Sequence, residues 1–254
     1  MKKIILFFLS ILIVFSLSAQ SILPAWKTPP ESEEILVHEG FTVSYNHKTL
    51  CPNWSAWTLT EEEANADAVG RTDFFTTDPL VKGPQAENSD YSRNEYNLDR
   101  GHMAPSADFK WSREANEQTF YLTNICPQNH ALNEGLWLEL EQRCRAWAKL
   151  YHTDVHIVCG PVFGKNTAQI GKNHVSVPSA FFKSIMFEAK GETYAIHFLM
   201  PNEALDAGKE IFEYAVSEKE LQKMTGLETF PRKKNKQPGA AYPFNTRWKK
   251  PKQK

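Results

Sequence analysis

Apolar and polar positions alternate along several stretches of the chain. "ILVHEGFTVSYN", residues 35–46, alternates in two short runs with Glu39-Gly40 as a turn between them, which predicts one or two strands. Trp54 to Thr60, "WSAWTLT", has the same character. "DVHIVCGPVF" is apolar on both faces, as a buried strand is, and ends in a Gly-Pro turn; "VSVPSAFFKSIMFEA" and "TYAIHFLMPN" follow as further strands, with "GKNH" and "AKGE" as turns. Between Leu132 and Leu150 the period changes. Leu136, Trp137, Leu140, Cys144, Trp147 and Ala148 recur at helical spacing and form one stripe suited to core packing. "SEKELQKMTG" predicts a short closing helix with its glycine as the stop, and "EEEANADAV" suits either a helix or a solvated acidic loop. Strands on either side of one long helix predict an α+β domain. Residues 70–99 are dominated by turn formers, and an irregular connection of that length in a compact domain is more often functional than idle.

The ends differ from this body. Lys2 and Lys3, an apolar-and-serine run from Ile4 to Leu17, and the small residues Ser16-Leu17-Ser18-Ala19 form a secretory signal peptide over residues 1–19. The alternative, a membrane anchor, needs about 20 apolar residues to span, and no later stretch is apolar enough. The expected organisation is an extended, proline- and acid-rich lead-in over 20–44, one catalytic-sized domain over 45–231, and a basic, flexible tail over 232–254. The protein is therefore expected to be exported, periplasmic or secreted, with no membrane association after cleavage.

Export changes how Cys51, Cys126, Cys144 and Cys159 are read, because pairs persist in an oxidising compartment and three connectivities are possible. No CxxC pair supports a common zinc site, and Cys159, in an apolar run, suits a buried thiol. The net charge of −1 becomes more negative once Lys2 and Lys3 leave, which argues against tight, purely electrostatic binding to nucleic acid. The charge is uneven, however: acids load the first part, and "PRKKNKQPGAAYPFNTRWKKPKQK" ends the chain with basic residues and no acid.

The candidate chemistry lies in "YNLDRGHMAP", residues 96–105. His102 is the side chain best suited to accept a proton near neutral pH, Asp99 and Arg100 stand close before it, and Gly101 lets the backbone bend or a substrate approach. Alone, the tetrapeptide is equally a surface ion pair beside a satisfied histidine. The predicted helix adds Asn133 at its start, then Glu141 and Arg145. On an ideal helix Glu141 and Arg145 stand about 40° apart, and Asn133 and Glu141 about 80°. A side-chain carbonyl and a carboxylate are hard oxygen ligands suited to Mg²⁺, and an arginine beside them suits phosphate. Taken singly, Asn133 is a plain N-cap and Glu141–Arg145 an i,i+4 surface pair.

The arrangement as a whole decides. "DRGHMAPSADF" followed by "FYLTNICPQNHALNEGLWLELEQRCRAW" closely resembles the DNA/RNA non-specific endonuclease family, the endonuclease G-like ββα-metal (His-Me finger) nucleases. More loosely, the resemblance runs from about Trp54 through "CGPVF" and "VPSAFFK" to "MTGLETF". It implies an α+β ββα-metal nuclease fold with a central antiparallel sheet flanked by helices. It also implies His102 as general base, Asn133 as direct ligand of a single Mg²⁺ (Mn²⁺ as substitute), and Glu141 as holder of the metal's waters. Arg100 and Arg145 correspond to phosphate and transition-state arginines, and Arg71 to a further family arginine in the preceding loop, with a plain surface arginine as its alternative. Asp99 orients the motif.

The expected function is that of an exported, Mg²⁺-dependent endonuclease cleaving DNA and RNA to 5′-phosphate products, with homodimers common in the family. Activity is expected to fall as pH drops through the ordinary histidine pKa of about 6.5. Two rival functions remain at this point: a non-catalytic nucleic-acid-binding protein of the same fold, and a phosphodiesterase of small esters. Cleavage of long DNA against a small aryl phosphodiester separates the enzymes. Of the other histidines, only His130 lies near enough in sequence to line the site.

Overall fold

The computed structural model describes residues 23–92, 96–205, 208–231 and 237–238. The expected signal peptide and nearly all of the expected tail lie outside these residues. Among those described, no helix is long and apolar enough to cross a membrane.

The alternating stretches assemble into one eight-stranded sheet. β1 (Ala25–Trp26) lies apart, and β2 (Glu34–Val37), β3 (Thr42–Asn46) and β4 (Cys51–Leu59) begin the sheet as an antiparallel meander. Helix α1 (Glu61–Asn65) follows, opened by a capping box between Thr60 and Glu63. A hairpin of β5 (Leu98–His102) and β6 (Ile125–Asn129) brackets helix α2 (Arg113–Gln118), and a short turn α3 (His130–Leu132) leads toward the long helix α4 (Leu138–Tyr151). β7 (Val155–Val162) returns to the sheet, the small pair β8 (Gln169–Ile170) and β9 (Val175–Ser176) follows, and β10 (Ala180–Ala189) and β11 (Glu192–Pro201) form a hairpin. β12 (Ala215–Val216), helix α5 (Glu218–Thr225), β13 (Leu227–Glu228) and β14 (Gln237–Pro238) close the described chain. The sheet order is β12-β11-β10-β7-β4-β3-β2, with β14 parallel to β11 and β1 paired with β13.

β2 and β3 correct the expected domain boundary at residue 45. Their alternation lets one face pack, so residues 34–44 form the sheet's edge and are no lead-in.

Alternation also fixes the two layers. On β10, Phe181, Ile185 and Phe187 face the cluster that α4 covers, while Phe182 and Met186 face a second cluster with Trp54, Val158 and Leu221 of α5. Trp137, Leu140, Cys144, Trp147 and Ala148 of the predicted stripe are all buried, with Trp137 5.7 Å from Phe181 and Trp147 6.3 Å from Phe187 between ring centroids. Burying each such side chain contributes roughly 1.5–3 kcal/mol. α5 ends at the predicted stop, Gly226 at φ 72°, and opens on a Ser217–Glu220 capping box. The four cysteines are buried free thiols, so none of the three connectivities open to an oxidised chain is formed.

Candidate active site

The site is built on the β5–β6 hairpin and the helix after it. Register pairs Asp99 with Gln128, Gly101 with Cys126 and His102 with Ile125. Gly101 is required by space: a Cβ there would lie 2.1 Å from Gln128 Oε1 and 2.5 Å from its Cβ. After β6, Asn129 caps α3 by accepting from the amides of Ala131 and Leu132. The chain then passes through a π-helical turn at Asn133–Trp137, where Gly135 takes φ −101°, ψ −116°, before α4 begins. The predicted continuous helix from Asn133 is therefore broken. Glu141 and Arg145 keep their one-turn relation, but the angle expected between Asn133 and Glu141 does not hold.

His102 is buried, 8% exposed. Its ring meets Phe120 edge-on at 4.9 Å and tilts against Phe75 at 5.4 Å. Its carbonyl oxygen accepts from Trp137 Nε1 at 3.3 Å, and its Nε2 has no hydrogen-bond partner among the described residues. Burial, then the charges of Arg71 and Arg100, push its pKa down to about 3. Without substrate the imidazole is thus neutral and free to accept a proton across the physiological range.

Both arginines are held above the aromatic floor. Arg100 lies 4.3 Å over the Phe75 ring and donates to Asn88 Oδ1 at 2.7 Å. Arg71 lies 5.0 Å over Phe120 and is 3.3 Å from Asp73. These are cation–π contacts that leave guanidinium edges for an anion. With Asn133, the two arginines line one cavity of about 360 Å³, and Asp99, His130 and Glu134 share the wall. The connection that precedes β5 supplies Arg71 and Phe75, and His130 does line the site.

Asp99 organises that wall. Its Oδ2 accepts from Asn133 Nδ2 at 2.9 Å and lies 2.9 Å from His130 Nδ1, whose pKa this pairing raises. With its amide nitrogen so engaged, Asn133 presents its carbonyl oxygen as a hard ligand. Among the described residues no three His, Cys, Asp or Glu side chains converge as a metal cage. One amide oxygen beside carboxylates fits a hard divalent cation that retains most of its waters.

Glu141 and Arg145 stand behind this wall and do not line the cavity. Glu141 is 8% exposed, its Oε1 3.9 Å from Lys183 Nζ. Burial raises its pKa to about 7, although Lys183 and Arg145 oppose the rise. Lys183, fully buried on β10, also lies 4.2 Å from the Trp137 ring. Arg145 NH1 donates to the buried Asp108 at 2.6 Å, and Trp57 Nε1 donates to the same carboxylate at 3.1 Å. Arg145, expected as a phosphate or transition-state contact, is held at NH1 by Asp108 and is not among the residues that line this cavity. Lys183 and Asp108 escaped the sequence reading, although the inward register of Lys183 between Phe181 and Ile185 signalled the first.

A profile of DNA/RNA non-specific endonuclease sequences matches residues 25–236. Human mitochondrial endonuclease G is 31% identical over 214 residues, covering 80% of this chain and 71% of that protein. Mouse mitochondrial nuclease EXOG is 32% identical over 228 residues, covering 84% and 61%. A crystal structure of an EndoG/EndoGI complex, which concerns EndoG inhibition, contains a chain that superposes with a TM-score of 0.74 at 27% identity, covering 82% of this chain and 89% of that one. The fold is thus that of the α+β ββα-metal nucleases, and the chain belongs to the DNA/RNA non-specific endonuclease family.

Proposed function

We propose that the protein is an exported, Mg²⁺-dependent endonuclease that hydrolyses DNA and RNA to 5′-phosphate products, with Mn²⁺ as a substitute. One observation carries this reading. A neutral, buried His102 with an unpartnered Nε2 packs against Phe75 and Phe120, the rings over which Arg100 and Arg71 lie, and those two arginines share a cavity with an asparagine whose amide is fixed by Asp99. That combination supplies a base behind an aromatic floor, with an anion clamp and a metal ligand at the cavity in front of it.

His102 Nε2 accepts the proton of the attacking water. Arg71 and Arg100 hold the phosphoryl oxygens and meet the charge that grows on them. Asp99 keeps Asn133 oriented, so that its carbonyl oxygen holds the cation. The cation, when bound, would supply neutralisation of the negative charge that builds up in the reaction. Glu141, which feels the charge of Glu134 at the cavity wall, would be the carboxylate that holds waters of a bound cation. Arg145 lowers and Asp108 raises the proton affinity of Glu141 through their charges. Nothing in this set reads a 2′-hydroxyl or a base edge, which supports action on both sugars with weak sequence preference.

The N-terminal charge and apolar pattern supports export, and the extracted mature chain should begin near residue 20. The catalytic test incubates the mature protein with supercoiled plasmid and with RNA, in Mg²⁺ and in EDTA, beside His102→Ala. Metal-dependent loss of both substrates, absent in the variant, is expected. Binding without cleavage would make the protein a non-catalytic member of the fold.

A further inference from the structure

Arg71 is the common wall of two cavities. The second, about 660 Å³, lies on its other side and is lined by Phe74, Thr76, Arg113, Glu117 and Tyr121 among others. The reaction as described uses none of these five. Phe74 is 71% exposed, the most exposed large hydrophobic side chain among the described residues, yet its neighbour Phe75 is buried against His102. Isolated exposed apolar residues are ordinary, but this ring opens into a groove that continues the catalytic cavity and carries cations. Arg113 lies 3.9 Å from Glu117, with both side chains more than half exposed. An exposed pair at that separation contributes little, so the guanidinium is available to a stronger anion, which must draw it away from the Glu117 carboxylate.

Resting on the nuclease reading above, we propose that this second cavity is a nucleotide subsite. The base of the nucleotide adjoining the scissile phosphate stacks on Phe74 with Tyr121 beside it, and the next phosphate of the strand meets Arg113. The occupant is an unstacked segment of a DNA or RNA strand. Every base presents a π-face, so stacking suits a site that is indifferent to sequence and sugar. Continuity through Arg71 commits the groove to the same strand that the catalytic cavity holds.

The test compares kcat/KM for a single-stranded oligothymidylate with kcat/KM for bis(4-nitrophenyl) phosphate, which is too small to reach the groove. Phe74→Ala should lower the ratio of the two by roughly fivefold or more, and Phe74→Trp should restore it. Arg113→Gln should reduce the slope of log affinity against log salt by about one. An unaltered ratio in Phe74→Ala, or equal losses on both substrates, would overturn the subsite. Should the wild-type protein cleave neither substrate, the nuclease reading fails separately. The subsite is then decided by fluorescence anisotropy of the labelled oligomer with His102→Ala and with His102→Ala combined with Phe74→Ala. Weaker binding by the double variant supports it, and equal affinities refute it.

Discussion

Replacing His102 or Glu141 with glutamine should tilt the pH dependence of stability in opposite directions. The folded chain keeps His102 neutral down to about pH 3, whereas in the unfolded chain the imidazole takes a proton at the ordinary value of 6.5. Its contribution is present above 6.5 and is lost as pH falls toward 3, because the unfolded state binds the proton that the folded state refuses. At 1.36 kcal/mol per pH unit, the loss between pH 7 and pH 5 is about 2 kcal/mol. Glu141 works the other way. Its folded carboxyl takes a proton at about pH 7 and its unfolded one at 4.5. Stability is therefore gained as pH falls from 7 to 5, again by about 2 kcal/mol, and lost as pH rises through 7.

In the wild-type chain the two contributions nearly cancel, so its own profile conceals both. His102→Gln removes the loss, and its stability relative to wild type should rise by about 2 kcal/mol between pH 7 and pH 5. Glu141→Gln removes the gain and should fall relative to wild type by about the same amount. The assay is urea denaturation followed by tryptophan fluorescence at pH 7, 6 and 5 in EDTA. Subtracting wild type at each pH removes the titration of every other group. A variant whose curve stays parallel to wild type would refute the desolvated placement of the residue it replaces.

Four further outcomes follow from the site. His102→Ala should lower turnover by about 10²–10⁴-fold while the protein still melts cooperatively; a near-normal rate refutes the base. The acid limb of the rate profile should lie near pH 7, from Glu141, and move to lower pH as Mg²⁺ rises, because protons and metal compete; a limb fixed at 6.5 at every Mg²⁺ concentration would return it to the histidine. Asn133→Ala should raise the Mg²⁺ concentration for half-maximal rate by roughly tenfold or more, which an unchanged titration contradicts. Gly101→Ala drives a methyl against Gln128 and should cost about 1–3 kcal/mol in chemical denaturation; equal stability would show that the hairpin yields there.

The sheet was legible wherever burial on one face imposed a period of two, as in β3, β4, β10 and β11, and α4 and α5 were legible from their stripes and caps. The β5–β6 hairpin was not. "LDRGH" is polar, "ICPQN" contains a proline, and what joins them is an antiparallel pairing between segments far apart along the chain, which no local period encodes. The same limit applies to Asn133 and Glu141: helical arithmetic assumes an unbroken helix, and Gly135 breaks it. The motif residues were therefore identifiable from their resemblance to a family, while their electrostatic condition was not. That condition depends on burial and on Arg71, on Arg100 and Asp108 of one stretch, and on Lys183, which come from three separate parts of the chain.

The two arginines link substrate binding to the strength of the base. Without substrate, Arg71 and Arg100 press the His102 pKa down together with burial, which keeps the ring unprotonated at the cost of making it a weak base. A phosphodiester bound between them brings a negative charge into the same cavity and cancels part of that field. The affinity of Nε2 for a proton then rises when the water to be deprotonated is beside its target. A histidine left to an ordinary surface environment would be half protonated near pH 6.5, and so half unavailable as a base before the substrate arrives. Burial first, and the two charges with it, thus keep the base free before binding, and on the proposed mechanism a phosphate that offsets those charges strengthens it.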